Sequence, residues 1–200
     1  DGVDLEVGGT VEDQGDAFGD LGVLFILIVI LVYIVMATQF ESLLFPFIIM
    51  FTIPFAFTGV FLALWMTSTP LSLIALIGAI MLVGIVTKNG IVMVDYMNLL
   101  VERGSGVFDA VIAGGKSRLR PVLMTSFTTI LGMLPLAIGT GAGSETWQPM
   151  GIAVIGGLTC STLLTLFIIP ALYSVFVNRS QRKEKEKLAR LSAEHQASVH

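Results

Sequence analysis

The sequence is poor in charge. Asp, Glu, Lys and Arg make up 13% of its 200 residues, against roughly 25% in soluble proteins. Apolar residues make up 54%. So few charges, gathered in a few places, cannot cover a large apolar core with polar surface. This excludes a water-soluble enzyme and a disordered chain, and the net charge of −4 argues against a nucleic-acid-binding protein.

Residue types that carry metal or nucleophilic chemistry are equally scarce. Cys160 is the single cysteine, so no internal disulfide can form, and both histidines, His195 and His200, lie near the C-terminus. The Gly-Lys-Ser tripeptide at 115–117 and the glycines of the 139–143 segment match nucleotide-binding motifs only in part. We therefore predict no metal centre, no bound cofactor and no enzymatic site.

Five apolar runs are long enough for bilayer-spanning helices, which need about 20 residues. Several of them contain proline, which membrane helices tolerate because neighbouring groups satisfy the freed carbonyls. The predicted fold is an all-α membrane protein, a bundle of five transmembrane helices over residues 21–177. The predicted spans are residues 21–38, 43–66, 71–98, 121–138 and 150–177.

The positive charges predict the direction of the spans. Apart from Lys88, all Lys and Arg residues lie in the 99–120 loop or in the 178–200 tail. Five alternating spans place these two segments on the same side, which the positive-inside rule makes cytoplasmic. The tail is predicted to be basic and partly disordered. The segments that then face outward are residues 1–20, 67–70 and 139–149.

Two segments outside the spans carry a pattern of their own. Val3, Leu5 and Val7 alternate with polar residues, as in a β-strand. A lone strand is not stable, so residues 1–20 are predicted to complete an extracytoplasmic domain and to lead into the first span as a helix. A disordered acidic linker is the alternative. Apolar residues at helical spacing over 107–112 predict a short amphipathic helix, ended by glycines 114 and 115, at the cytoplasmic interface.

Lys88 lies inside the third span, where insertion of a lysine costs about 2.5–3.5 kcal/mol. Gly84, one turn earlier, is expected to let a neighbouring helix approach closely, and Asn89 adds a polar group beside the lysine. The alternative is that Lys88 snorkels to the interface, although about 15 Å of helix separates it from the end of the span. The residues that share its helical face are Ile77, Met81, Gly84, Ile91 and Asp95.

A buried ammonium group needs an anion, and this chain offers none at that depth. Asp95 is two turns away, about 10 Å along the helix, and the other four spans contain no Asp or Glu. We therefore expect the counter-ion to come from protein outside this chain. Arg118 and Thr125 share a face of the fourth span and would complete a proton relay. Bonding of threonine to its own helix backbone is the alternative.

Specific sequence blocks resemble those of the resistance–nodulation–division (RND) efflux transporters, and among these the hydrophobe and amphiphile exporters of the acriflavine-resistance type. The resemblance runs from about residue 3 to 177. The matching blocks are Gly-Ile-Val-Thr-Lys-Asn-Gly-Ile at 84–91, Val-Asp-Tyr at 94–96, Arg-Leu-Arg-Pro-Val-Leu-Met-Thr-Ser at 118–126, Gly-Thr-Gly-Ala-Gly-Ser-Glu at 139–145, Gln-Phe-Glu-Ser at 39–42 and Gly156-Gly157.

The resemblance implies the C-terminal part of a proton-driven multidrug or amphiphile antiporter of the bacterial inner membrane. Residues 1–20 would close the second extracytoplasmic α/β porter domain, and the spans would be helices eight to twelve of twelve. Lys88 then matches the relay lysine, and Arg118 and Thr125 match relay-associated positions. Asn89 is expected in the same relay. Helix-packing positions are expected at Gly84, Gly156 and Gly157.

The resemblance also implies the partners. These are the N-terminal half of the same protein, with acidic residues on its fourth helix, further copies in a homotrimer, an adaptor outside the cytoplasm, and the lipid bilayer. The coupling ion would be the proton, and the substrate-binding residues would lie outside this chain. The heavy-metal branch is disfavoured because its relay is not built around this Lys-Asn pair. The alternatives are a protein-export accessory of the same superfamily and a membrane anchor without transport activity.

Overall fold

The computed structural model describes residues 10–139, 141 and 143–198, with side chains for residues 13–139, 141, 143–177 and 179. All regular secondary structure within these residues is α-helical. The strand predicted at residues 3–7 lies outside them. The helices are α1 (Thr10–Phe40), α2 (Leu44–Met50), α3 (Ile53–Met66), α4 (Leu73–Glu102), α5 (Val107–Ile138) and α6 (Ser144–Ser198).

Five helical segments are long and apolar enough to cross a membrane, which confirms the five predicted spans. Most are longer than predicted, because polar residues at their ends continue the helix. α1 begins at Thr10, eleven residues before Leu21, the first residue of the predicted span, because the acidic lead-in is itself helical. The spans are Asp13–Phe40, Leu44–Met66, Leu73–Glu102, Val107–Ile138 and Ser144–Val177.

The second span is divided into two helices. α2 ends at Met50, and α3 begins at Ile53 with Pro54 in its first turn. Proline has no N–H to donate, and its ring collides with the carbonyl four residues earlier, here that of Met50. The helical hydrogen-bond ladder is therefore interrupted. Thr52 caps the break by donating its hydroxyl to the carbonyl of Ile49 at 2.6 Å.

The fourth span and the segment before it form one helix. The expectation that a short interfacial helix ends at glycines 114 and 115 is wrong, because α5 is continuous from Val107 to Ile138. Gly114 is buried, and a β-carbon there would lie 2.7 Å from Cγ of Met97 on α4. This glycine permits close approach of two helices and does not end one. α6 extends from Ser144 to Ser198, into the segment that the sequence analysis assigns to the basic tail.

α6 lies at the centre of the bundle and packs against α3, α4 and α5. Glycines make the closest of these contacts. A β-carbon on Gly156 would overlap the side chain of Ala63 on α3, and one on Gly157 would overlap Leu82 on α4. Lipid tails are as apolar as the helices themselves, so association in a membrane depends on such close backbone packing. α1 packs mainly against α2 and α4 and stays at the edge.

Gly156→Ala in the full-length protein should lower its stability by about 1–3 kcal/mol, the usual cost of overpacking a close contact. The matched control is Gly115→Ala on α5, where a β-carbon has no neighbour within 4 Å and alanine favours the helix. Thermal unfolding in detergent measures both variants. Equal loss of stability in the two would contradict the close packing of α3 on α6.

Candidate functional site

Lys88 lies at the middle of α4, 15 residues after Leu73 and 14 residues before Glu102. A helix of 30 residues is about 45 Å long at 1.5 Å per residue, whereas the hydrocarbon core of a bilayer is about 30 Å thick. A centrally placed residue is therefore about 15 Å from either edge of the hydrocarbon. This position makes snorkelling of the ammonium group to the interface a poor explanation of Lys88.

α4 has one buried face and one uncovered face. The buried face contacts α6 and its neighbours through small and apolar side chains. The opposite face, here called the Lys88 face, consists of the residues that the sequence places together, and they are exposed or half-buried. Gly84 has no atom within 4 Å of a β-carbon built on it, so no described residue covers this face there. The Lys88 face comprises Ile77, Met81, Gly84, Lys88, Ile91 and Asp95.

An open groove of about 340 Å³ lies between α1 and α4 beside the Lys88 face. Leu31, Val32, Val35 and Met36 of α1 form one wall, and residues 84–92 of α4 contribute the other. The hydroxyl of Thr87 in this wall already donates to the carbonyl of Val83 at 2.6 Å. The groove therefore offers the ammonium group an almost wholly apolar surface and no carboxylate.

Arg118 is held against α4, but not at Lys88. Its guanidinium carbon lies 4.5 Å from the centre of the Tyr96 ring, a distance at which the ring face attracts a cation. Its Nε atom is buried without a hydrogen-bond partner among the described residues. Tyr96 is eight residues from Lys88 toward the C-terminal end of α4, about 12 Å along the axis. Lys88 on α4 and Arg118, which packs against α4 from α5, therefore lie at different depths.

Thr125 lies close to the level of Lys88. α5 runs antiparallel to α4, as the contacts of Gly114 with Met97 and of Arg118 with Tyr96 show. Seven residues beyond Arg118, Thr125 is therefore near the level of Asn89 and Lys88. Its hydroxyl donates to the carbonyl of Val122 at 2.9 Å. This is the bond to its own helix backbone that the sequence analysis named as the alternative to a relay role. Within the described residues no hydrogen bond joins Thr125, Asn89 and Lys88.

Two hydrogen bonds between side chains of different helices were missed by the sequence analysis. The hydroxyls of Ser126 on α5 and Thr162 on α6 form a buried hydrogen bond of 2.9 Å. The hydroxyl of Tyr173 donates to Oδ1 of Asn98 on α4 at 2.6 Å. Isolated polar residues on otherwise apolar helices were the available signal, but their partners, 36 and 75 positions apart in the chain, required the tertiary structure.

The family follows from comparison with known proteins. Residues 1–177 match the model of the AcrB/AcrD/AcrF family. The chain belongs to this family. It is 39% identical over 92% of its length to the swarming motility protein SwrC of Bacillus subtilis, covering 18% of that protein. It is 44% identical over 77% of its length to the multidrug resistance protein MdtC of Erwinia tasmaniensis, covering 15% of that protein.

A solved structure agrees with this assignment. The crystal structure of a heavy metal efflux pump superposes with a TM-score of 0.77 at 32% identity, over 84% of this chain and 17% of that chain. The chain thus spans less than a fifth of the length of these relatives. It is a multi-pass inner-membrane segment of an RND transporter.

Several properties are common to this family. Its members are secondary transporters and not enzymes, and they use the proton motive force instead of a bound cofactor. They generally form trimers and work with adaptor proteins. The site on α4 and α5 is therefore to be understood within a transporter.

Tyr96→Leu in the full-length protein should destabilise the α4–α5 contact by about 0.5–2 kcal/mol, because the guanidinium of Arg118 loses the aromatic face beneath it. Tyr96→Phe keeps that face and should have little effect. Thermal unfolding of the purified protein separates the two variants. If they unfold at the same temperature, the cation–π contact does not contribute to the packing of α5.

Proposed function

We propose that this chain is the C-terminal part of a proton-driven multidrug or amphiphile antiporter and that it supplies the lysine side of the transmembrane proton relay. One observation carries the proposal. The ammonium group of Lys88 lies midway along a membrane helix, on an exposed face that is open at Gly84, and no described residue places a carboxylate at that depth. Such residues are rare in membrane helices and mark ion pathways.

The counter-ion would be an acid on the N-terminal half of the same protein, lying against the Lys88 face. Gly84 supports this arrangement, since the lack of a side chain one turn from Lys88 lets another helix come close. An ionised acid attracts the ammonium group, and protonation of the acid removes the attraction. The two arrangements of the bundle then bind a proton with different affinities. Such a difference is sufficient to couple proton binding to movement of the helices.

The helices around Lys88 provide a route for the resulting movement. The face of α4 opposite to Lys88 is packed on α6 through Leu82 and Gly157, so a displacement of α4 is passed to the centre of the bundle. α1 forms the other wall of the groove and is one continuous helix from Thr10 to Phe40. It would carry the movement to residues 1–20 and to the porter domain that they close.

The relay would use three further residues when Lys88 is not paired with the acid, namely Asn89, Thr125 and Arg118. The amide of Asn89 and the hydroxyl of Thr125 lie near the level of Lys88 and can accept a hydrogen bond from the ammonium group once the acid is protonated. Arg118, about two turns nearer the cytoplasm, keeps a second positive charge at the inner mouth of the relay.

The choice of substrate class rests on the relay block. The relatives include a multidrug resistance protein and a heavy metal efflux pump, and the Lys88-Asn89 pair favours the hydrophobe and amphiphile branch. The match of residues 1–177 to the AcrB/AcrD/AcrF family favours an exporter over a protein-export accessory. The intact protein would act as a homotrimer with an adaptor outside the cytoplasm.

Lys88→Met in the full-length protein should abolish proton-coupled export while the protein still inserts, because loss of one partner of a buried ion pair costs about 3–5 kcal/mol. Lys116→Met, the same change at an exposed position of α5, is the matched control and should export normally. Dye efflux and proton flux in vesicles measure both. Equal export by the two variants would refute the relay role, and an absence of proton flux in the unmodified protein would favour the membrane anchor.

The proposed orientation places the 67–72 turn outside and the 103–106 turn in the cytoplasm. In a cysteine-free full-length protein, Ser68→Cys should react with a membrane-impermeant maleimide applied from outside. Ser105→Cys should react only after the membrane is permeabilised, since both residues are exposed but on opposite sides. The reverse labelling pattern would overturn the orientation.

A further inference from the structure

The hydrogen bond between Ser126 and Thr162 is a polar contact in the apolar interior of the bundle. Both side chains are buried, with 4% and 5% of their surface exposed, and their hydroxyl oxygens are 2.9 Å apart. The other described threonine and serine hydroxyls that form hydrogen bonds in the spans bond to a carbonyl three or four residues earlier, as in Thr87 and Ser161. Such bonds stabilise no particular arrangement of one helix against another, whereas the Ser126–Thr162 bond does.

The pair lies beside the residues assigned to the relay. Ser126 is the sequence neighbour of Thr125, so their side chains leave α5 about 100° apart around the helix axis. With Ser126 bonded to α6, the direction of Thr125 is set. Arg118 lies two turns earlier on the same helix, with its guanidinium over the ring of Tyr96.

The depth of the pair also matches that of Lys88. Gly157 of α6 meets Leu82 of α4, and Ile169 of α6 meets Gly90. Thr162 lies between these two contacts and is therefore at a level between Leu82 and Gly90, where Lys88 is found. The side chain of Thr165, one turn further along α6, is also buried, and its hydroxyl has no described partner. The α5–α6 interface is thus polar at the depth where the relay operates.

We propose that the Ser126–Thr162 hydroxyl pair is a positioning element of the relay. It fixes the rotation of α5 on α6 and thereby holds Thr125 near the level of Lys88 and Arg118 over Tyr96. This inference rests on the relay function proposed above. Neither hydroxyl touches Lys88, so both act only through the helix that carries Thr125 and Arg118.

The first test follows proton-coupled export by the full-length protein as a function of external pH. Ser126→Ala should shift the pH of half-maximal export by about half a unit. This shift is about a threefold change in apparent proton affinity, the fold-change that corresponds to the average energy of a hydrogen bond between membrane helices. Ser126→Thr retains a hydroxyl and should restore the profile. Thr162→Ala should give the same shift, and the double variant no more than either single one.

The matched control is Ser161→Ala. It removes a hydroxyl that is equally buried, at 1% exposed, but that bonds only to the carbonyl of Leu158 on its own helix. Its pH profile should be unchanged. An unchanged profile in Ser126→Ala, the same shift in Ser161→Ala, or additive shifts in the double variant would each overturn the positioning role.

A second measurement does not depend on the function of Lys88. Thr125→Cys in a cysteine-free full-length protein is reacted with a small methanethiosulfonate, and the rate is compared with and without Ser126→Ala. We expect a change of at least about threefold, and none with Ser161→Ala. An unchanged rate overturns the proposal. A changed rate combined with normal export by Lys88→Met shows that the pair orients α5 while the relay assignment itself is wrong.

Discussion

A charged ammonium group in hydrocarbon has to be compensated, and the organisation of α4 depends on this constraint. Inserting an uncompensated lysine costs about 2.5–3.5 kcal/mol on insertion scales. This cost is larger than the stabilisation that most single contacts contribute. This cost favours the proposed contact of the Lys88 face with a further polar helix over contact with lipid. The Lys88 face combines a cation, an open groove and a glycine without neighbours, which is the surface that another polar helix requires.

The helices that pack on the other side of α4 from Lys88 hold α4 in place. Helices in a membrane gain little from burying apolar side chains against one another, so close backbone contacts and interhelical hydrogen bonds decide their arrangement. Gly59, Gly156 and Gly157 bring α3, α4 and α6 together, and two side-chain hydrogen bonds join α6 to α5 and to α4. Lys88 is thus presented from a helix whose other side is firmly held.

Much of this arrangement could be predicted from the sequence, because run length and helical periodicity are local properties. They sufficed for the five spans and for the residues that share a face with Lys88. Gly114 was misinterpreted because a glycine looks the same in sequence whether it ends a helix or admits a neighbour, here Met97. The Ser126–Thr162 bond could not be predicted either, since periodicity fixes the faces of each helix but not the axial register between helices.

Asp95 lies on the same helical face as Lys88 but is too far along α4 to neutralise it. At about 10 Å and an effective dielectric constant of about 20, their attraction is about 1.7 kcal/mol, less than the cost of inserting the lysine. The surroundings weaken it further, because Asp95 borders a polar pocket of about 270 Å³ with Gln39, Glu41, Asn98 and Glu102. Within two turns the Lys88 face thus passes from an apolar groove to a polar, acidic pocket. That change is typical of the approach to the edge of the hydrocarbon and places Lys88 on its apolar side, where the proposed acid of another helix would supply the anion.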